Sequence, residues 1–142
     1  MSGCVVIRRG EPAAGATGLD YFVGVSRETT GAGGLCLQVV RIPAGARASA
    51  HLHTDHETAV YVLEGEVVTW YGDRLEEHAD SQAGDFVYIP AGLPHLPVNY
   101  GSAEAVAVIA RTDPHAQESV VSLPELDTLP HLGRRPGAKS HD

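Results

Sequence analysis

The chain has 142 residues and a mass of 15.0 kDa, which is one domain's worth, and a core of that size buries roughly 70% of the unfolded chain's surface without metal or disulfide staples. Hydrophobic residues make up 43% and charged residues 20%, which excludes whole-chain disorder, and two cysteines, Cys4 and Cys36, exclude a disulfide scaffold or a cysteine zinc ribbon. The formal net charge is −8, with −9 in residues 1–126 and +1 in residues 127–142, so a nucleic-acid partner has no electrostatic footprint here.

In chain order, residues 5–7 form a short apolar run, and residues 21–25 form another after a Gly/Ala/Pro-rich connection. Residues 35–42 (LCLQVVRI) lie between GAGG and Pro43-Ala44-Gly45 and read as a strand. Residues 58–71 (TAVYVLEGEVVTWY) are β-branched and aromatic and read as two strands joined by a turn at Gly65. Residues 74–80 alternate weakly, 86–89 stop at Pro90, and 96–100 stop at Gly101. Residues 105–110 (AVAVIA) and 119–123 complete the set. No segment combines helical periodicity, an N-cap and ten residues, although residues 123–126 have room for one helical turn. Short strands with regular turn punctuation predict an all-β sandwich or barrel. Residues 1–126 are expected to form the single domain, and residues 127–142 a partly disordered tail.

Eight histidines stand beside a single lysine, and three of them fall within six residues: His51, His53 and His56, in HLHTDHE. A strand puts residues i and i+2 on one face, so His51 and His53 point the same way and can share an ion. A lone histidine is more often a packed or surface residue; two at period two, with a carboxylate four residues on, point to a metal. Further along, Gly84-Asp85 opens a strand, and Pro90-Ala91-Gly92-Leu93-Pro94 is a stiff turn that delivers His95 to a fixed place, with Asn99 beyond it. Imidazole with carboxylate suits Zn, Fe, Ni, Mn or Cu without choosing among them.

Together the two segments resemble the two motifs of the cupin superfamily. The first runs Gly45, five residues, His51-Leu52-His53, three residues, Glu57, and on to Gly65. The second runs Gly84, five residues, Pro90-Ala91-Gly92, two residues, His95, three residues, Asn99, without departure. The resemblance implies an all-β fold, the cupin double-sheet jelly-roll β-barrel. It also implies a divalent metal (Fe, Zn, Ni or Mn) inside it, held by His51, His53, His95 and a glutamate.

One departure leaves the fourth ligand open. Seven residues rather than six separate Glu57 from Gly65, so counting back from Gly65 puts the family's glutamate position on Thr58. Glu57 is the first choice, His56 the second, and a three-histidine site completed by water the third.

An open coordination position would serve oxygenase, isomerase or lyase chemistry on a small molecule, and a metal-dependent small-ligand binding module is the alternative. Resemblance also implies a homodimer. No apolar run nears the roughly 20 residues that span a bilayer, no basic amphipathic stretch marks a membrane surface, and the N-terminus reads as too short and too soon charged for a secretory signal. The expectation is therefore a cytoplasmic protein with reduced thiols.

Smaller expectations follow from setting. Tyr61, Trp70, Tyr71, Phe86 and Tyr88 are expected in the core or barrel wall, Asn99 in a structural turn, and Cys36 as a small core residue. Gln38 is either an outward polar residue or a donor into the barrel. Arg111 is expected on the surface, with capture of a substrate carboxylate as its functional reading. His78, His115, His131 and His141 sit in polar, loop-like settings and are expected to be solvated.

Overall fold

The structure is a computed structural model that describes residues 3–8, 13–14, 18–115 and 119–137. Its strands are β1 (Ala13–Ala14), β2 (Asp20–Val25), β3 (Cys36–Ile42), β4 (His51–His53), β5 (Thr58–Glu64), β6 (Glu66–Tyr71), β7 (Glu77–Gln82), β8 (Phe86–Ile89), β9 (His95–Val98), β10 (Ala105–Arg111) and β11 (Val120–Ser122). One helical turn, α1 (Arg27–Thr30), follows β2, and two 3-10 turns, Pro124–Leu126 and Pro130–Gly133, follow β11. The strands form two antiparallel sheets, a six-stranded one in the order β1-β2-β3-β10-β5-β8 and a five-stranded one in the order β11-β4-β9-β6-β7. This is the double-sheet jelly roll: among the described residues no ladder joins the sheets, which pack face to face through their side chains.

The turn at Gly65 carries the chain from one sheet to the other. Its φ is +76°, and a Cβ there would lie 2.8 Å from the Glu104 carbonyl oxygen and 2.9 Å from Ala105 Cα, so only glycine fits. The expected run at 5–7 is not a strand, and its side chains are exposed, Val6 by 74%. Three apolar residues without a partner strand bury too little surface to order a ladder. The single turn α1 escapes helical periodicity because it is too short; a capping box between Ser26 and Thr29 forms it.

Two hydrophobic clusters divide the work. The first fills the space between the sheets with Tyr21, Val40, Ile42, Ala107 and Ile109 from the large sheet and Val67 from the small one. The second lies on the other face of the small sheet, where Val68, Trp70, Leu96 and Val98 meet Leu75, Leu126 and Leu132. Residues 127–137 run over that face. The Tyr100 hydroxyl receives the Trp70 indole N–H at 2.8 Å and donates to the Leu132 carbonyl at 2.6 Å. The Asp127 carboxylate accepts the Ala50 N–H at 2.7 Å, and Arg135 pairs with Glu66. No helix among the described residues is long and apolar enough to cross a membrane.

Candidate metal centre

Strand alternation places the histidines. In β4, His51 and His53 are buried on the inner face with Leu52 between them facing outward. β9 pairs with β4 so that His95 lies opposite His51. The Pro90–Pro94 turn that delivers His95 is pinned to the same strand, because the Gly92 N–H donates to the His53 carbonyl at 2.8 Å. The ring centroids stand 4.3 Å apart for His51–His95, 5.2 Å for His51–His53 and 5.6 Å for His53–His95. One ring nitrogen from each lies within 4.8 Å of the others, so the three can hold a metal ion.

Hydrogen bonding fixes which nitrogen that is. His51 Nδ1 faces the Ser49 carbonyl at 2.7 Å, and His95 Nδ1 faces the Leu93 carbonyl at 2.9 Å. A carbonyl only accepts, so both Nδ1 atoms carry the proton and both Nε2 lone pairs are free. His53 Nδ1 meets the Ser119 hydroxyl at 3.2 Å. That hydroxyl also interacts with the Asp113 carboxylate, which leaves its oxygen to accept from His53. Burial opposes ionisation of Asp113, but the His115 N–H and the Ser119 hydroxyl outweigh it and hold its pKa low.

Burial also keeps the imidazoles uncharged. Desolvation pushes His95 down to about 3 and His53 down to about 2, with the Arg111 guanidinium and the other histidines adding to the effect. His51 is lowered chiefly by burial, against the pull of the Ser49 carbonyl. At neutral pH all three are metal-ready bases that need release no proton on binding. The donor set suits a borderline divalent ion such as Zn, Fe, Ni or Mn.

The fourth-ligand candidates stand elsewhere. Thr58, not Glu57, faces the cavity, because Glu57 is tied to the end of β10 on both sides of its peptide. Its N–H donates to Thr112 Oγ1 at 3.0 Å, and its carbonyl accepts the Thr112 N–H at 3.2 Å. That register turns the Glu57 side chain outward, where the Tyr88 hydroxyl donates to its carboxylate at 2.6 Å. His56 is half-buried and, with Glu57, lies outside the histidine group.

The cavity beneath the histidines is lined by Tyr21, Thr58, Thr69, Ser81 and Arg111 among aliphatic side chains. Arg111 is buried, not on the surface, and its Nε donates to Thr58 Oγ1 at 3.4 Å. It shares the inward parity of Ala105, Ala107 and Ile109. That signal is present in the sequence but hidden by the apolar residues of both faces. Gln38 faces inward too, and neither of its amide atoms has a hydrogen-bond partner among the described residues.

Trp70 is in the core, but Tyr61, Phe86 and Tyr88 are exposed on the outer face of β5 and β8, contrary to expectation. Those two strands end the large sheet, and among the described residues no further layer covers their outer face. Asn99 holds its turn, donating to the carbonyls of Ile42 at 2.9 Å and Ala103 at 2.8 Å. Cys36 is a buried small residue. His78 pairs with Asp80, His115 with Glu28, and His131 donates to the Leu75 carbonyl. His141 lies outside the described residues.

Comparison with known proteins agrees with this geometry. The oxalate decarboxylase of Bacillus subtilis, a protein with Mn(II) centres, superposes with a TM-score of 0.68 at 20% identity, over 80% of this chain and 30% of that one. This chain therefore spans about a third of that enzyme's length. A cupin-superfamily sugar phosphate isomerase from Silicibacter pomeroyi aligns at 25% identity with a TM-score of 0.54, over 65% of this chain and 59% of that one. An uncharacterised double-stranded β-helix protein from Klebsiella pneumoniae aligns at 20% identity with a TM-score of 0.59, over 79% and 85%. No curated protein matches. A sequence model of the cupin domain matches residues 38–110, half of the chain. Those residues include both strands that carry the histidine trio, and the chain belongs to the cupin domain family.

Proposed function

We propose that this cupin binds one divalent metal ion through Nε2 of His51, His53 and His95 and is a metalloenzyme acting on a small molecule in the cavity below them. One observation carries the reading: three buried imidazoles, each with its Nδ1 proton fixed by a partner, converge on one point at the head of a cavity. A site built only to staple the fold would close its coordination sphere with protein ligands. Here Glu57 faces away and His56 is not part of the group, so coordination positions remain for a ligand. A bound ion would supply Lewis-acid polarisation of a substrate oxygen, or with iron a site for O₂.

The chain's own groups do the rest. The carbonyls of Ser49 and Leu93 and the Ser119 hydroxyl orient the imidazoles, the aliphatic lining excludes water, and Arg111 with Thr58 offers donors to an anionic or oxygen-rich ligand. Oxalate decarboxylase and sugar phosphate isomerase are both enzymes of such substrates, which supports the reading. One observation favours the alternative, a binding module without turnover. Among the described residues, the lining holds no carboxylate to serve as general base.

Elemental analysis of protein purified without tag or chelator tests the metal. Stoichiometric metal that is lost in His95→Ala is expected, and none in the parent chain would refute the site. Turnover of a small oxygenated metabolite above the rate of free metal then separates enzyme from binder. We also place the chain in the cytoplasm, as one cupin unit that pairs as a homodimer. The exposed face formed by Tyr61, Leu63, Phe86 and Tyr88 on β5 and the edge strand β8 supports the pairing.

A further inference from the structure

The three imidazoles are not held alike. For His51 and His95 the partner of Nδ1 is a backbone carbonyl, so the backbone alone assigns the proton. For His53 the partner is the Ser119 hydroxyl, at 3.2 Å, which can accept or donate. A donating hydroxyl would drive the His53 proton to Nε2 and fill the lone pair that the ion needs. The direction of this one hydrogen bond is settled one contact further out. Asp113 is buried, 3% exposed, and stands outside the cavity lining. Its Oδ1 accepts the His115 N–H at 2.9 Å, whereas its Oδ2, also buried, has no hydrogen-bond partner among the described residues. The Ser119 hydroxyl stands beside this carboxylate and stabilises its charge. A buried negative charge orients a neighbouring hydroxyl dipole, proton toward the carboxylate and oxygen away from it. Ser119 is itself held in place, because its carbonyl accepts the Thr54 N–H at 3.3 Å and the next residue, Val120, pairs with His53.

We infer that Asp113 is a positioning residue of the metal centre: acting through Ser119, its carboxylate keeps the His53 proton on Nδ1 and the Nε2 lone pair open to the ion. This role rests on the three-histidine reading above and adds the group that makes the third ligand competent. The charge of Asp113, not its shape, carries the effect. In Asp113→Asn, Oδ1 stays on the His115 N–H and the amide nitrogen takes the place of Oδ2. An amide nitrogen only donates, so the Ser119 oxygen accepts from it and the Ser119 proton turns to His53 Nδ1. His53 then carries its own proton on Nε2, and an arriving ion has to reverse both steps before it binds.

The test has two readouts. Two-bond proton–nitrogen correlation spectra of the metal-free full-length chain at pH 7.5 report the tautomer of each histidine. Titration with Co(II), followed by visible absorption, reports metal affinity. The parent chain should show the Nδ1–H form at His51, His53 and His95. Asp113→Asn should move His53 alone to the Nε2–H form and weaken Co(II) binding about tenfold or more, as loss of a group behind a metal ligand does. Ser119→Ala should also lose the uniform Nδ1–H form of His53, and Ser119→Thr, which retains the hydroxyl, should restore the tautomer and the affinity. Because Asp113 acts through that hydroxyl, adding Asp113→Asn to Ser119→Ala should weaken Co(II) by less than about a further twofold.

His53 still in the Nδ1–H form in Asp113→Asn, or an undiminished Co(II) affinity there, would overturn the inference. A loss from Asp113→Asn that is as large in the Ser119→Ala background as in the parent would overturn it too, since a role in packing does not pass through the hydroxyl. If Asp113→Asn does not fold, Ser119→Ala decides: His53 should populate the Nε2–H form while His51 and His95 keep theirs, and an unchanged His53 overturns the inference. A parent chain that binds no Co(II) refutes the three-histidine site itself, whereas the tautomers of the metal-free chain decide the role of Asp113 separately.

Discussion

Acid should unfold the metal-free protein through its buried histidines. In the folded chain His95 and His53 stay neutral until about pH 3 and about pH 2, because burial penalises their charged forms. In the unfolded chain each takes up a proton near pH 6.5. Their folded pKa values are depressed, so their contribution to stability is full above pH 6.5 and is lost as pH falls toward the folded values. At pH 5 the unfolded state gains about 2 kcal/mol from protonating the His95 side chain. His53, discounted for solvent that enters the cavity, adds about 1–2 kcal/mol. His51, also lowered by burial, works in the same direction. The sum approaches half of a typical domain's stability, about 5–15 kcal/mol.

Urea unfolding at pH 7.5 and pH 5 measures it, with Trp70, the single tryptophan, as a buried fluorescent reporter. The His53→Asn/His95→Asn variant keeps a side-chain N–H donor at each site but titrates at neither. The parent chain should lose about 3–4 kcal/mol more than the variant over this range. Other titrating groups cancel in that difference. Equal losses in the two proteins would show that the imidazoles are not desolvated and that the site is open to water. Saturating metal should raise both ends of the parent curve similarly, since the folded trio is still neutral at pH 5.

Three further outcomes bear on particular residues. Glu57→Ala should change metal affinity by less than about twofold, while His51→Ala lowers it more than about tenfold, in line with loss of one ligand; a large loss in Glu57→Ala, read by metal titration, would place the carboxylate on the ion. Phe86→Glu, at a side chain 81% exposed on an edge strand, should convert the proposed dimer to monomer in sedimentation velocity with metal content unchanged; a dimer that persists would locate the interface elsewhere, and a monomeric parent chain would refute the pairing. Leu132→Ala, at a side chain 1% exposed against Trp70's cluster, should cost about 2–5 kcal/mol in urea unfolding; a loss near zero would mean that the C-terminal turns do not seal the sheet.

The three histidines are legible in the sequence because strand parity and a proline-stiffened turn are local rules, and His51, His53 and His95 obey both. The fourth position is not, because a one-residue discrepancy between Glu57 and Gly65 can be absorbed at either end. It is Thr112, fifty-five residues away, whose two backbone-side contacts with Glu57 fix which residue of β5 turns inward. Arg111 is obscured for a related reason. In AVAVIAR both faces are apolar, so alternation alone does not tell inside from outside until β3 and β5 flank the strand. The outward placement of Phe86 and Tyr88 escapes composition altogether, since aromatic character reads as core unless the edge of the sheet is known. The pattern of short strands and turns is local, and it marks most of the strands, although β1 and the three-residue β4 lie outside the apolar runs and the run at 5–7 forms none; which strands neighbour which depends on contacts across the whole chain.

The small sheet that carries all three histidines is packed on both faces: on one side by the cavity, on the other by Trp70, Leu96, Leu126 and Leu132 beneath the C-terminal turns. The end of the chain therefore acts as a backing plate for the metal centre. His95 and Leu96 are sequence neighbours facing opposite ways, so a gap opened under Leu96 shifts the imidazole above it. An affinity tag or truncation placed close behind Leu132 would reach the coordination geometry from the far side of the sheet, without touching any residue that lines the cavity.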